Sequence, residues 1–119
     1  MQVVDAHKGM LAVNTSITGL EGHSSAPHLG VNAVQVAGEM IVRLLMLQKE
    51  LQAPGLLDPR FEPPYSTVHV GHIHGGTARN IIPARCDVAW EIRPLPGYDP
   101  HPLYERFVAE LERDLLPGI

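Results

Sequence analysis

The sequence predicts an α+β domain: a ferredoxin-like antiparallel sheet of three to four strands with two helices on one face. Three observations predict it. Two segments alternate apolar and polar residues, as half-buried strands do. Two others repeat apolar residues at helical spacing. Their order along the chain is strand, helix, strand, strand, helix, the sequence of a split βαβ arrangement.

The first strand runs from Leu11 to Thr18, with Leu11, Val13, Thr15 and Ile17 on one face and Ala12, Asn14, Ser16 and Thr18 on the other. A loop from Gly19 to Gly30 follows. Asn32 is then a suitable N-cap for a helix lasting to about Leu51, whose apolar stripe reads Val34, Ala37, Ile41, Leu44 and Leu45. Residues Gln52 to Pro64 contain four prolines with Gly55 and Asp58 among them, so neither helix nor strand persists there and a surface loop is expected. Ser66 to His74 reads as a second strand, stopped by Gly75-Gly76. The third, from about Arg85 to Arg93, shows the cleanest alternation: Cys86, Val88, Trp90 and Ile92 inward, Asp87, Ala89, Glu91 and Arg93 outward. After a turn built on Pro94, Pro96, Gly97 and Pro100, a second helix carries Leu103 or Tyr104, Phe107, Val108, Leu111 and Leu115 on its apolar face, ended by Pro117-Gly118. The topology calls for one more strand after this helix. Either the sequence is a piece of a longer chain, or Gln2 to Ala6 supplies that strand.

A chain of 119 residues suits one domain, 1–119, with one core. Its net charge of −4 and its lack of a basic run argue against nucleic acid as a partner. No apolar stretch approaches the roughly 20 residues that span a bilayer, so no membrane partner is expected. Cys86 is the only cysteine and cannot form an internal disulfide, and no N-terminal secretory pattern is present; a cytoplasmic setting is expected.

Seven histidines in so short a chain invite a metal hypothesis. His72 and His74, two apart on a strand, share a face, with His69 on the opposite one. Nothing supplies the remaining ligands, neither a cysteine pair nor a His-Glu-x-x-His helix, so polar strand-face histidines are the favoured reading and no metal ligand is assigned. Ser24 and Ser25 lack the strained Gly-x-Ser-x-Gly turn of a serine nucleophile and read as hydrogen-bonding loop residues. Glu21, Glu39, Asp87 and Glu91 are dispersed, with no pair set up as acid and base. The Gly75 to Asn80 loop could turn backbone N–H groups to an anion, but it lacks the lysine and the following helix of a phosphate loop. On spacing alone, His23 is either a capping and packing residue or a catalytic group on a short arm.

Taken together, "HKGMLAVNTSITGLEGHSSAPHLGVNAV" and "GGTARNIIPARCDVAWEIRPLPGYDP" resemble the lid, or dimerisation, domain of the zinc-dependent amidohydrolase family that includes acetylornithine deacetylases, succinyl-diaminopimelate desuccinylases, aminoacylases and glutamate carboxypeptidases. The resemblance covers nearly the whole chain. It is carried by Gly-x-x-x-His-Ser-Ser, a helix, Gly-Gly-x-x-x-Asn-x-x-Pro and a strand ending in arginine. "AHKG" and "IRPLPGYDP" look most like the acetylornithine deacetylase branch.

The resemblance implies a lid inserted in a separate catalytic domain that holds two zinc (or cobalt) ions, none of whose ligand motifs occurs here. It implies a homodimer formed through the lid, and a small N-acyl amino acid as substrate, N-acetylornithine before others. His23 matches the family's lid histidine, which reaches the partner's active site and polarises the scissile carbonyl. Asn80 matches the substrate-facing asparagine, and Arg93 the strand-end arginine that binds a substrate carboxylate, while Gly75 and Gly76 let their loop approach closely. Three other readings remain: the same family acting on a dipeptide, a succinylated diamino acid or a carbamoylated amino acid; a stand-alone dimerising module without catalysis; and RNA binding on the sheet. The last is disfavoured by the acidic charge and by the absence of exposed aromatics on the third strand.

Overall fold

The computed structural model describes residues 2–7 and 10–115. Its strands are β1 (Gln2–His7), β2 (Met10–Thr18), β3 (Gly22–His23), β4 (Thr67–Gly75), β5 (Ile81–Ile82) and β6 (Arg85–Arg93), with helices α1 (Ala33–Leu51) and α2 (His101–Asp114). The main sheet has the order β1-β2-β6-β4 and is antiparallel throughout; β3 and β5 form a separate two-stranded ribbon. The expected α+β sheet with two helices on one face is therefore present. The N-terminal segment supplies the fourth strand, pairing with the outer edge of β2. The expected helix stop at Pro117-Gly118 lies outside the described residues.

The alternation read from β2 and β6 holds in three dimensions. Leu11, Val13, Thr15 and Ile17 are buried, as are Cys86, Val88, Trp90 and Ile92, and the two sets register directly, Val13 opposite Trp90 and Leu11 opposite Ile92. Both helices pack on this face: Ala33, Ala37, Met40, Leu44 and Leu47 of α1 join Phe107 and Leu111 of α2 in one core cluster. Trp90 meets the edge of the Phe107 ring at 5.5 Å, and its indole N–H donates to the Thr15 hydroxyl at 2.9 Å, so the one large polar handle in the core is satisfied.

Three expectations need correction. The buried face of α1 is Ala33, Ala37, Met40, Leu44, Leu47 and Leu51, while Leu45 is exposed and Val34 and Ile41 are only half-buried. Apolar residues nearly encircle this helix, and Val42, Leu45 and Met46 stay exposed on its far side, so periodicity alone could not fix its rotation. In β4 the register slips between Val70 and His72, an irregularity that takes Gly71 out of the alternation. His69 consequently lies opposite Glu91, His72 opposite Ala89 and His74 opposite Asp87, which places all three histidines on the outer face rather than on two faces. The segment after Gly76 also does more than join two strands, because Ile81–Ile82 form β5.

Beside α1, β4 is the sheet's edge. The Gln48 amide covers one end of that edge: its Oε1 accepts from the Val68 N–H at 2.6 Å and its Nε2 donates to the Ser66 carbonyl at 3.1 Å. These are the two groups a neighbouring strand would engage.

Candidate functional site

The Gly19 to Gly30 segment is an ordered excursion. Its base is closed by reciprocal Leu20 and Val31 backbone hydrogen bonds, both 2.9 Å, and by the Gly19 N–H donating to the Ala84 carbonyl at 2.7 Å. Gly19 is required at this closure, since a Cβ there would stand 2.2 Å from the Val31 carbonyl oxygen. Beyond the closure β3 pairs with β5, Gly22 against Ile82 and His23 against Ile81. Ile82 is buried beneath the ribbon and anchors it.

This pairing brings two of the residues singled out from sequence together. His23 is exposed on β3, and the Ser24 N–H donates to the carbonyl of Asn80, the exposed residue preceding β5, at 3.0 Å. The His23 carbonyl accepts from the Ala26 N–H at 3.0 Å, closing a tight turn. Inside it the His23 ring Nδ1 lies 3.0 Å from the Ser25 backbone nitrogen and 2.7 Å from the Ser25 Oγ. Ser25 is thus a hydrogen-bonding loop residue whose partner is His23 itself. The two residues lie two apart in sequence, but only the turn reveals the contact.

Gly75 and Gly76 have structural reasons to be glycine. A Cβ on Gly75 would stand 2.9 Å from both the Arg85 carbonyl oxygen and the Val34 side chain, and Gly76 has φ +94°. Both line a shallow recess with Glu21, His74, Arg85 and Asp87. There the Asp87 carboxylate accepts from the Ser16 hydroxyl at 2.6 Å and pairs with Arg85 at 3.2 Å. The Ser16 hydrogen bond first, and Arg85 after it, hold the Asp87 carboxyl below the usual carboxylate range. An acid so well satisfied is structural rather than poised for proton transfer.

Arg93 is not brought to the His23 and Asn80 ribbon. It ends β6 opposite Thr67, pairs with Glu91 at 3.1 Å, and lies eight residues along the strand from Arg85, a span of about 26 Å at roughly 3.3 Å per residue. Among the described residues no three His, Cys, Asp or Glu side chains are placed to hold a metal ion. The His72 and His74 rings stack at 6.3 Å instead of converging. Burial pushes the Cys86 thiol up, away from nucleophilic chemistry.

Comparison with known proteins gives the arrangement its context. Residues 5–118 match the family described as the peptidase dimerisation domain. The chain is 46% identical over 97 residues to the acetylornithine deacetylase of Pectobacterium carotovorum, an alignment covering 82% of this chain and 25% of that protein. It is 44% identical over 112 residues to the acetylornithine deacetylase of Yersinia pestis, covering 94% and 28%. The chain thus spans about a quarter of the length of these relatives. A tripeptidase from Staphylococcus aureus superposes with a TM-score of 0.56 at 28% identity, over 82% of this chain and 22% of that one. An aminobenzoyl-glutamate utilization protein from Klebsiella pneumoniae shares the fold, with a TM-score of 0.62 at 23% identity, over 84% and 23%. The chain belongs to the peptidase dimerisation domain family.

Proposed function

We propose that the chain is the lid and dimerisation domain of a metal-dependent amidohydrolase that removes the acyl group from the α-nitrogen of an amino acid, N-acetylornithine first. The observation that supports this reading is exposed His23 on an anchored ribbon, next to exposed Asn80, whose carbonyl the Ser24 N–H engages, in a chain 44% identical to an acetylornithine deacetylase over 112 residues.

In this reading the imidazole N–H of His23 donates to the oxygen on which negative charge develops as water attacks the amide carbonyl. Such a donor, fixed before the reaction, costs no reorganisation when the charge appears. The Asn80 amide holds the substrate beside it, and the guanidinium of Arg93 grips the substrate carboxylate through two parallel hydrogen bonds. Lid closure excludes water from all three contacts. The described residues do not form a metal site, so the two zinc or cobalt ions are assigned to a catalytic domain outside this chain, and the domain alone should be inactive.

His23 and Arg93 stand at opposite ends of the lid, too far apart for one N-acyl amino acid to touch both within a single chain. A homodimer resolves this if one subunit's Arg93 and its partner's His23 share a substrate. Val42, Leu45 and Met46 are exposed on the outer side of α1, next to the sheet edge at β4, and an apolar surface of this kind favours a second copy as its cover.

The test is hydrolysis of N-acetylornithine, with zinc supplied, by the intact enzyme bearing this domain. His23→Ala should lower kcat by about a hundredfold, the usual loss of an oxyanion donor, with metal content and dimer mass unchanged. Undiminished turnover would remove His23 from the chemistry. The likeness to a solved tripeptidase favours a second substrate class, small peptides. Activity on a peptide panel without activity on N-acetylornithine would select it.

A further inference from the structure

The His23 ring has two nitrogens, and the loop treats one of them in a defined way. Its Nδ1 faces the Ser25 backbone N–H at 3.0 Å and the Ser25 hydroxyl at 2.7 Å. A backbone N–H can only donate, so Nδ1 must offer its lone pair, and the hydroxyl, which can rotate, donates to the same atom. A neutral imidazole that accepts at Nδ1 carries its proton on Nε2. The opposite tautomer would set N–H against N–H across the turn. Neither His23 nor Ser25 is buried, so solvent would otherwise populate both tautomers.

We infer that Ser25 is a positioning residue that locks His23 as the Nε2–H tautomer, leaving the ring's only N–H free to donate beyond the ribbon. The function of this lock rests on the oxyanion role proposed for His23; the lock itself rests on the turn geometry. That turn also explains how a two-residue strand can hold a donor steady. The Ala26 N–H bonded to the His23 carbonyl and the Ser24 N–H bonded to the Asn80 carbonyl fix the backbone on both sides of Ser25. The Ser25 N–H is thereby aimed at the ring. The hydroxyl, a second contact to the same atom, helps hold the ring's orientation.

Two readouts test the lock. In the chain labelled with 15N, long-range proton–nitrogen correlation in mildly alkaline buffer should show Nε2–H for the wild type, Ser25→Ala and Ser25→Thr alike, because each keeps the backbone N–H of residue 25, and a coupling across the hydrogen bond should join that N–H to Nδ1 of His23. In the intact enzyme, Ser25→Ala should lower kcat about fivefold, the scale of one neutral hydrogen bond, at unchanged KM, metal content and dimer mass, with Ser25→Thr restoring it. Nδ1–H in the wild type, or no coupling between the Ser25 backbone N–H and Nδ1, would overturn the inference. So would unchanged kcat in Ser25→Ala alongside a large loss in His23→Ala. An Nε2–H tautomer coupled to the Ser25 N–H, with both variants turning over normally, would uphold the lock and reject the oxyanion role instead.

Discussion

At Gly19 the absence of a side chain decides whether the His23 loop can close. The Val31 carbonyl oxygen occupies the space where a Cβ would be, and both atoms that would collide are backbone or fixed to it. Gly19→Ala should therefore cost about 2–3 kcal/mol, in the upper range for forced overpacking. Gly38, on α1, has nothing within 4 Å of its missing Cβ, and Gly38→Ala should stabilise the chain by about 1 kcal/mol because alanine suits a helix better. Urea unfolding checks both. Midpoints should move in opposite directions at unchanged slope, and equal shifts would mean that the loop base yields more readily than its geometry indicates. The requirement at Gly19 could not be read from the sequence, since it depends on a residue twelve positions away. Roles for His23 and Asn80 could be proposed only through family resemblance, as neither carries a local signal separating a catalytic side chain from a turn residue.

Among the elements, legibility followed the length and contrast of the pattern. The nine residues of β6 alternate strictly, and each fell on its expected face. The two-residue strands β3 and β5 are too short to show any period, so the ribbon that carries His23 was invisible beforehand. In β4, Gly71 was the only sign of the irregularity that gathers His69, His72 and His74 on one face.

The two helices are tied across their outer surfaces by Arg43 to Asp114 at 3.4 Å and by Arg106 to Glu50 at 2.7 Å. The Asp114 carboxyl is lowered to about 2, first by the hydrogen bond from Arg113 and also by Arg43 of the other helix, against an unfolded value near 3.8. A folded-state value below the unfolded one means that the unfolded chain binds more protons in between. This contribution to stability is accordingly complete above about pH 5 and is lost as pH falls from about 4 through about 2. The stability difference between wild type and Asp114→Asn, from urea unfolding across that range, should be constant near neutrality and shrink on acidification. A difference independent of pH would mean that the pair adds nothing through its charge.

For the whole molecule, one sheet separates the two ends to which roles are proposed. The ribbon with His23 and Asn80 projects near the Arg85 end of β6, while Arg93 lies at the other, and helices cover the face between them. Neither composition nor motif spacing gave this separation, because His23, Asn80 and Arg93 carry no distance in one dimension; the antiparallel register of β4 on β6 sets it. Under the proposed function, this separation divides the substrate contacts between two subunits. The most direct test mixes two inactive parents of the intact enzyme, His23→Ala and Arg93→Ala, and lets their subunits exchange while N-acetylornithine hydrolysis is followed. If each active site takes Arg93 from one chain and His23 from its partner, mixed dimers contain one complete site, and activity should rise well above either parent. Mixed dimers as inactive as their parents, or an Arg93→Ala parent with full turnover, would contradict the account.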